Sequence, residues 1–318
     1  MCKTGTDIQE AVTYLLQGDI VAIPTETVYG LAGDATRSES VIRIYEAKER
    51  PSFNPLIVHI ASVDEASKYT VHIPPILLRL ASTFWPGPFT ILAEKNTLIA
   101  DPVTAGSPLV ALRVPVHPMA LELLHSLPFP LAAPSANLFG RISPTTAQHV
   151  AEQLQDRIPY ILDGGPCSVG VESTIVKCNA EGEIVLLREG AITAAMIREI
   201  TGKEPLQPDA ARIEAPGMLK SHYAPIIPVR IGKLQEMAAE YDPTRIACLQ
   251  FEGKVPIIPN ARYTGILSPR GDLHEAAARL FALMHEAEAS GADFLLAEAV
   301  PDTGIGRAIN DRLHRASA

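Results

Sequence analysis

The chain has 318 residues, 47% of them apolar, which is enough to bury substantial cores and sits at the border between one large domain and two. Its formal charge of −9 argues against broad electrostatic coating of nucleic acid or an anionic membrane, so any phosphate site must be small and concave. Cys2, Cys167, Cys178 and Cys248 show no C-x-x-C spacing and no histidines at metal-site intervals, which speaks against a zinc site or a disulfide framework and fits a reducing cytoplasm.

The N-terminus MCKTGTDIQEAV lacks the apolar core of a signal peptide, and no apolar run reaches membrane-spanning length, so a soluble intracellular protein is expected. Residues 7–17 carry Ile8, Ala11, Val12, Leu15 and Leu16 at helical spacing, with Thr6 or Asp7 as cap and Gly18 as terminator. The short apolar run at 19–22 then enters IPTETVYGLAGD, residues 23–34. Proline, threonines, an acid and a glycine at a strand end offer hydroxyls and free backbone groups, as α/β ligand sites do. The same residues also make an ordinary, tight strand-to-helix connection.

A second helix runs from Ser38 through Val41, Ile42 and Tyr45 until Pro51 stops it. On a continuous helix Lys48 and Arg50 would point to nearly opposite sides, at about 100° per residue. Pro51 pushes the residue before it into an extended conformation, which lets the two cations converge on one anion. The alternative is that they only complement the negative end of the helix. Asn54-Pro55 and a strand at 56–60 follow. His59, near the end of that strand, is either a hydrogen-bonded structural residue or a site residue. A polar helix near 63–69, a helix at 75–84 and a strand at 89–93 come next, with Trp85 bracing the WPGP turn.

The apolar strand at 109–114 contains Arg113. A charge buried in such a strand costs several kcal/mol unless paired, so Arg113 needs a carboxylate or a ligand. Helix 117–126 leads to strand 129–133 and then to APSANLFGRIS, residues 133–143. If this segment is extended, Ser135 and Asn137 face one way while Ala133 and Ala136 allow close backbone approach, a pattern suited to a phosphate wall. Residues 143–146 cap a helix at 146–155, strand 158–162 follows, and strands 171–178 and 183–188 form a hairpin turning at 179–182. Thr193 caps a helix to about residue 200.

Residues 202–228 hold five prolines and no clear period, as an interdomain linker would. Within them GMLKSHYAP, residues 217–225, carries a histidine and an aromatic that could close over a ligand or form a packed connector. Strands at 226–231, 245–251 and 294–300 then alternate with helices at 233–240, 271–289 and 305–315, the rhythm of a small parallel α/β domain. Gly304-Ile305-Gly306 is a weak anion-site signal without the third glycine of a dinucleotide fingerprint. The absence of a P-loop, a G-x-S-x-G elbow and an H-E-x-x-H helix argues against a standard NTPase, serine hydrolase or zinc protease.

PTETVYGL, Lys48-x-Arg50 followed by Asn54-Pro55-Leu56, WPGPFT, Arg113 in LRVP, PSAN, VESTI, LLREG and SHYAP stand in this order along nearly the whole chain. Each is weak alone. Together they resemble the two-domain form of the L-threonylcarbamoyl-AMP synthases of the YrdC-type family. The resemblance implies a twisted mixed sheet with helices around a concave cleft at 1–203, a linker at 204–228, and a smaller Rossmann-like parallel α/β domain at 229–318. It implies that L-threonine, bicarbonate and ATP, with Mg²⁺, give threonylcarbamoyl-AMP and pyrophosphate for N6-threonylcarbamoyladenosine in tRNA. The product would pass to the downstream tRNA threonylcarbamoyl-transfer machinery, without stable binding of nucleic acid by this chain.

By the match, Lys48, Arg50, Ser135 and Asn137 form a polar tetrad over the phosphates and carbamate, and Asn54, Ser143, Arg188 and Tyr223 complete the ATP site. Thr27, His59, Arg113, Ser173 and the backbone at Ala133 would hold threonine; no protein metal ligand and no role for Glu26 is assigned. Glu49 stands where the family often has glycine, and Ser221 where a basic residue is frequent before His222. Two other readings belong to this domain type: a double-stranded RNA-binding module, which the net charge opposes, and a carbamoyl-phosphate-dependent carbamoyltransferase, which would need a metal-bearing domain that the C-terminal segment does not resemble.

Overall fold

Short apolar strands separated by capped helices build two sheets, in a computed structural model that describes residues 2–208, 215–218, 221–253 and 255–318. The first sheet contains β1 (Lys3–Gly5), β2 (Val21–Ile23), β3 (Gly30–Asp34), β4 (Ile57–His59), β5 (Thr70–His72), β6 (Phe89–Lys95), β7 (Leu109–Arg113), β8 (Leu131–Ala132), β9 (Tyr160–Leu162), β10 (Thr174–Cys178) and β11 (Ile184–Arg188). Its spatial order is β1-β9-β2-β3-β8-β4-β7-β6-β10-β11, with β5 on β6. Pairings are mixed: β4 runs parallel to β7, which sets His59 opposite Arg113, whereas β2 and β3 are antiparallel.

Helices α1 (Ile8–Leu16), α2 (Ser38–Lys48), α3 (Ala66–Tyr69), α4 (Pro75–Phe84), α5 (Asp101–Thr104), α6 (Pro118–His125), α7 (Ala147–Leu154) and α8 (Ala194–Thr201) belong to this part of the chain. Asp7, Thr146 and Thr193 cap α1, α7 and α8 by accepting backbone N–H groups, as small oxygen-bearing residues do. Trp85 donates its indole N–H to the Phe89 carbonyl at 2.6 Å and so braces the turn before β6.

The second sheet is wholly parallel, in the order β12 (Val229–Ile231), β15 (Phe294–Ala297), β13 (Ile246–Gln250), β14 (Tyr263–Ile266). Helices α9 (Leu234–Ala238), α10 (Leu273–Ala289) and α11 (Gly306–Ala316) accompany it. Gly306 is steric in origin, because a Cβ there would lie 2.1 Å from the Pro301 carbonyl oxygen. One apolar cluster joins both parts, packing Val28, Ile142 and Val171 with Leu280, Phe281 and Met284. Arg141 adds an ion pair to Glu288 at 2.5 Å. The connecting segment is pinned on both sides: Leu206 bridges to Val185, Ala224 to Arg141, and the His222 N–H donates to the Arg315 carbonyl at 3.1 Å. Leu219 and Lys220 of its GMLKSHYAP stretch lie outside the described residues.

Several elements differ from the sequence expectation. IPTETVYGLAGD is not a strand-to-helix connection: Gly30–Asp34 forms β3 and returns antiparallel along β2, so the PTETVY residues form a wide loop at the end of a strand pair. Two glycines in five residues disguised that strand, since glycine weakens strand propensity. The short elements β5, α5 and β14 were also unmarked by periodicity, and the helix near 63–69 contracts to Ala66–Tyr69.

The turn between Lys48 and Arg50 also has a different origin. Glu49 is left-handed, at φ 53°, and the Glu49 and Arg50 N–H groups bond the Glu46 and Tyr45 carbonyls at 3.1 and 2.9 Å. That is a Schellman ending, so the chain turns at Glu49 before Pro51 acts. A left-handed non-glycine residue costs about 1 kcal/mol, and the exposed Glu49–Arg157 pair at 2.6 Å offsets little of it. Glu49→Gly should therefore raise the unfolding free energy in urea titrations by up to about 1 kcal/mol; a clear loss would contradict this account of the turn.

Candidate active site

The PTETVY loop, the ends of β4 and β7, the PSAN segment and the connecting segment enclose a cleft. Arg50, His59, Arg113, Glu172, Arg188, His222 and Tyr223 are its titratable lining residues. Three arginines against one carboxylate make a cationic hollow in an acidic chain, the small concave site that composition required.

The loop is rigid by its own chemistry. The Thr25 hydroxyl donates to the Val28 carbonyl at 2.7 Å and accepts the Thr27 and Val28 N–H groups at 3.1 and 3.3 Å. This turn aims Glu26 and Thr27, both buried, at Arg113. Arg113 donates Nη2 to Glu26 Oε1, Nη1 to Thr27 Oγ1 at 2.9 Å and Nε to the Gly87 carbonyl at 3.3 Å. The carboxylate demanded by a charge in β7 is thus Glu26, the loop residue that motif matching left without a role. Three of the five guanidinium N–H groups are committed, and one on each Nη nitrogen is left over.

His59 is buried beside Arg113, and its Nδ1 has no partner among the described residues. Burial, then the Arg113 charge, pushes its pKa down to about 3, so the ring is neutral at physiological pH. His222 is likewise buried with an unpartnered Nδ1, and burial holds its pKa well below the usual value. Its ring stands edge-on to Tyr223 at 4.2 Å and to Phe139 at 5.8 Å. Tyr223 has φ 65° and its hydroxyl occupies the space beside Gly217, where a Cβ would come within 2.6 Å of it.

Arg50 and Arg188 are held differently from Arg113. Arg50 donates to the Asn54 and Pro55 carbonyls at 3.2 and 3.0 Å. Arg188 donates to the Ser173 and Pro216 carbonyls at 2.9 and 3.0 Å and to the Ser173 hydroxyl at 3.1 Å. Neither forms an ion pair among the described residues, and burial brings the pKa of each down to about 10.

Other expected site residues stand behind the wall. Lys48 is fully buried and donates to the Ser135 and Asn137 carbonyls at 2.6 and 2.5 Å, reaching Asn137 Oδ1 at 3.4 Å. Ser135 donates to Asn137 Oδ1, so the two side chains do share a side, but only Ser135 and Arg50 of the tetrad line the cleft. Ser173 also lies off the lining, bridging Thr90 and Arg188. Ser143 donates to Glu172 at 2.6 Å. Asn54 is buried with both amide atoms unpartnered among the described residues. Thr27 and Ala133 line the cleft. Glu172 was missed as a site residue, although VEST was visible; Arg312, which holds it from the far domain, gave no local signal.

Fold and cleft define the class: an α/β protein whose mixed sheet walls a small cationic hollow suited to an anionic ligand. A family model described as telomere recombination matches residues 13–190, and one described as the threonylcarbamoyl-AMP synthase C-terminal domain matches residues 192–318. The threonylcarbamoyl-AMP synthase of Bacillus subtilis is 41% identical, covering 98% of this chain and 92% of its own. That of Pyrococcus abyssi is 38% identical, covering 98% and 94%. The crystal structure of P. abyssi Sua5 complexed with L-threonine superposes with a TM-score of 0.89, at 36% identity over 98% of this chain and 94% of that one. The chain belongs to the threonylcarbamoyl-AMP synthase family. Its activity is that of the family, a transferase reaction yielding an AMP-linked intermediate for tRNA modification. Among the described residues no helix is long and apolar enough to cross a membrane.

Three buried histidines set a pH dependence. His59 and His285 stay neutral down to about pH 3, and His222 is also held well below 6.5. The unfolded chain binds their protons near pH 6.5, so below that value it holds more protons than the folded chain and stability falls with pH. The expected slope is up to about 1.4 kcal/mol per pH unit for each histidine. Urea titrations between pH 7 and 5 should show the fall, and His59→Gln should reduce it; a profile unchanged by that substitution would remove His59 from the account.

Proposed function

We propose that the cleft condenses L-threonine, bicarbonate and ATP, with threonine at the Glu26–Arg113 end and the ATP phosphates against Arg50 and Arg188. The observation that carries this reading is the difference in how the arginines are balanced. Arg113 already has a carboxylate partner, so that end suits a ligand that is itself balanced, such as an amino acid zwitterion. Two unused N–H groups grip its carboxylate, Thr27 lies beside it, and neutral His59 does not repel the α-ammonium group. Arg50 and Arg188 have only carbonyl and hydroxyl acceptors, and a buried cation so held gains from an anion.

The chemistry then needs positioning more than covalent help. Bicarbonate loses hydroxide, released as water with a proton, to give carbon dioxide; threonine's amine, once deprotonated, attacks that carbon and loses a proton to give the carbamate. A carbamate oxygen attacks the α-phosphorus in line, and the bond to pyrophosphate breaks. Arg50 and Arg188 offset the charge that accumulates on the phosphate oxygens, Ser135 lines the wall beside the reacting group, and Tyr223 closes the nucleotide side. Lys48 and Asn137 act from behind, by fixing the PSAN wall.

Mg²⁺ in this reading would be carried by ATP rather than held by the protein. Glu172, the carboxylate on the cleft lining, is already engaged by Ser143 and Arg312 and would not be free to hold the metal, whose charge would offset that of the phosphates. The reaction is assigned to the cytoplasm, consistent with four free cysteines, and its product to the tRNA threonylcarbamoyl-transfer machinery. Selection of threonine over serine rests on one methyl group, about 1 to 3 kcal/mol, so serine is a slow competing substrate.

Pyrophosphate release from ATP and bicarbonate should depend on L-threonine, and release indifferent to threonine would overturn the proposal. Arg50→Ala should lose at least about 100-fold in rate, a loss of the size expected for an oriented charge donor, with an unchanged circular dichroism spectrum. Full activity in that variant would remove Arg50 from the phosphate site.

A further inference from the structure

Arg312 lies on α11, in the last turns of the chain, yet it is fully buried against residues of the cleft. Its Nε donates to Glu172 Oε2 at 3.0 Å, its Nη1 to Asp311 at 3.0 Å, and its guanidinium lies 5.6 Å from the centre of the Tyr223 ring. Nη2 has no partner among the described residues. Glu172 and Tyr223 both line the cleft, so one side chain of the C-terminal domain grips two parts of its wall.

Glu172 creates a problem for a site meant for phosphates. It is a buried carboxylate on the lining, and its field reaches Arg188. An unpaired charge there would repel the nucleotide and compete for the arginines that should receive it. Ser143 alone, a neutral donor at 2.6 Å, does not offset a charge.

We propose that Arg312 is a positioning residue for ATP: it neutralises Glu172 and holds that carboxylate at the back of the cleft, leaving Arg50 and Arg188 for the phosphates. The C-terminal domain thereby makes the N-terminal cleft electrostatically competent, while Arg312 itself makes no contact with the reacting atoms. Packing of Arg312 on the Tyr223 ring couples the same side chain to the connecting segment, so the carboxylate and the aromatic are set together.

This inference rests on ATP as the ligand of the cleft, and the two can fail separately. ATP binding to the full chain is measured by calorimetry for the wild type, Arg312→Met, Glu172→Gln and the double variant. Arg312→Met should weaken binding by about tenfold or more, from the unpaired carboxylate. The double variant should return to within about threefold of the wild type, because no charge is left to offset. A purely structural role for Arg312 would show no such rescue. Glu172→Gln alone keeps the side-chain shape and should bind ATP at least as tightly as the wild type, a result that does not depend on Arg312→Met folding. Wild-type affinity in Arg312→Met, a double variant as weak as Arg312→Met, or weakening by about tenfold in Glu172→Gln would each overturn the inference. A wild type that binds no ATP would overturn the nucleotide reading, and the inference with it.

Discussion

The ion pair between Glu26 and Arg113 is the constraint on which the cleft depends. Both side chains are buried, and removing either would leave the other as an uncompensated charge. The pair joins a loop between two antiparallel strands to the end of a central strand, so the loop cannot relax without exposing that cost. The second Glu26 oxygen accepts the Val116 N–H at 3.2 Å, and its backbone carbonyl accepts the Val169 N–H at 2.7 Å. A single acidic residue therefore ties the PTETVY loop to two separated segments, the end of β7 with the residues after it and the stretch at Val169. The parallel register of β4 and β7 brings His59 alongside, and the Arg113 charge then helps keep that ring neutral.

Balance of charge divides the cleft into unlike ends. At one end a cation is already paired; at the other, two cations are held by neutral oxygens. The same protein-wide surplus of acid that excludes broad phosphate binding makes these two exceptions stand out. Their lowered pKa values express an unmet electrostatic demand, which a polyanion satisfies and a neutral ligand does not. Glu172 is the exception on the lining. Its burden is carried from the other domain, which gives the C-terminal sheet and its last helix a place in the site beyond packing.

What could be read from the residues follows how local each signal was. Helix α1 was legible from spacing and caps, and Arg113 announced its need for a partner because a charge in an apolar strand is costly. Which carboxylate answered was not legible, because Glu26 lies on a loop whose strand pairing two glycines concealed. Arg312 was less visible still: an arginine among charged residues on an amphipathic helix reads as a solvated face, and only the tertiary contact buries it. Motif order found Ser143 and Ser173 without showing that both face other side chains, one Glu172 and the other Arg188. Sequence identifies which groups the site needs; the packing decides which of them face the ligand.

Lys48 and Arg50 show that decision at the smallest scale. They are two residues apart, yet one ammonium lies inside the wall and the other cation faces the hollow, because the left-handed Glu49 turns the chain between them. Lys48 has no carboxylate among its hydrogen-bond partners; it holds two carbonyls and an amide oxygen of the PSAN segment. Burial and the neighbouring Arg50 charge lower its pKa well below that of a free lysine. Three donors on a tetrahedral ammonium fix the backbone on which Ser135 stands, and Ser135 lines the cleft. A guanidinium could not replace it, since a planar fork does not reach three oxygens converging from one side. The motif that reads as a pair of converging cations thus places one on the cleft lining and one inside the wall, separated by a single backbone conformation.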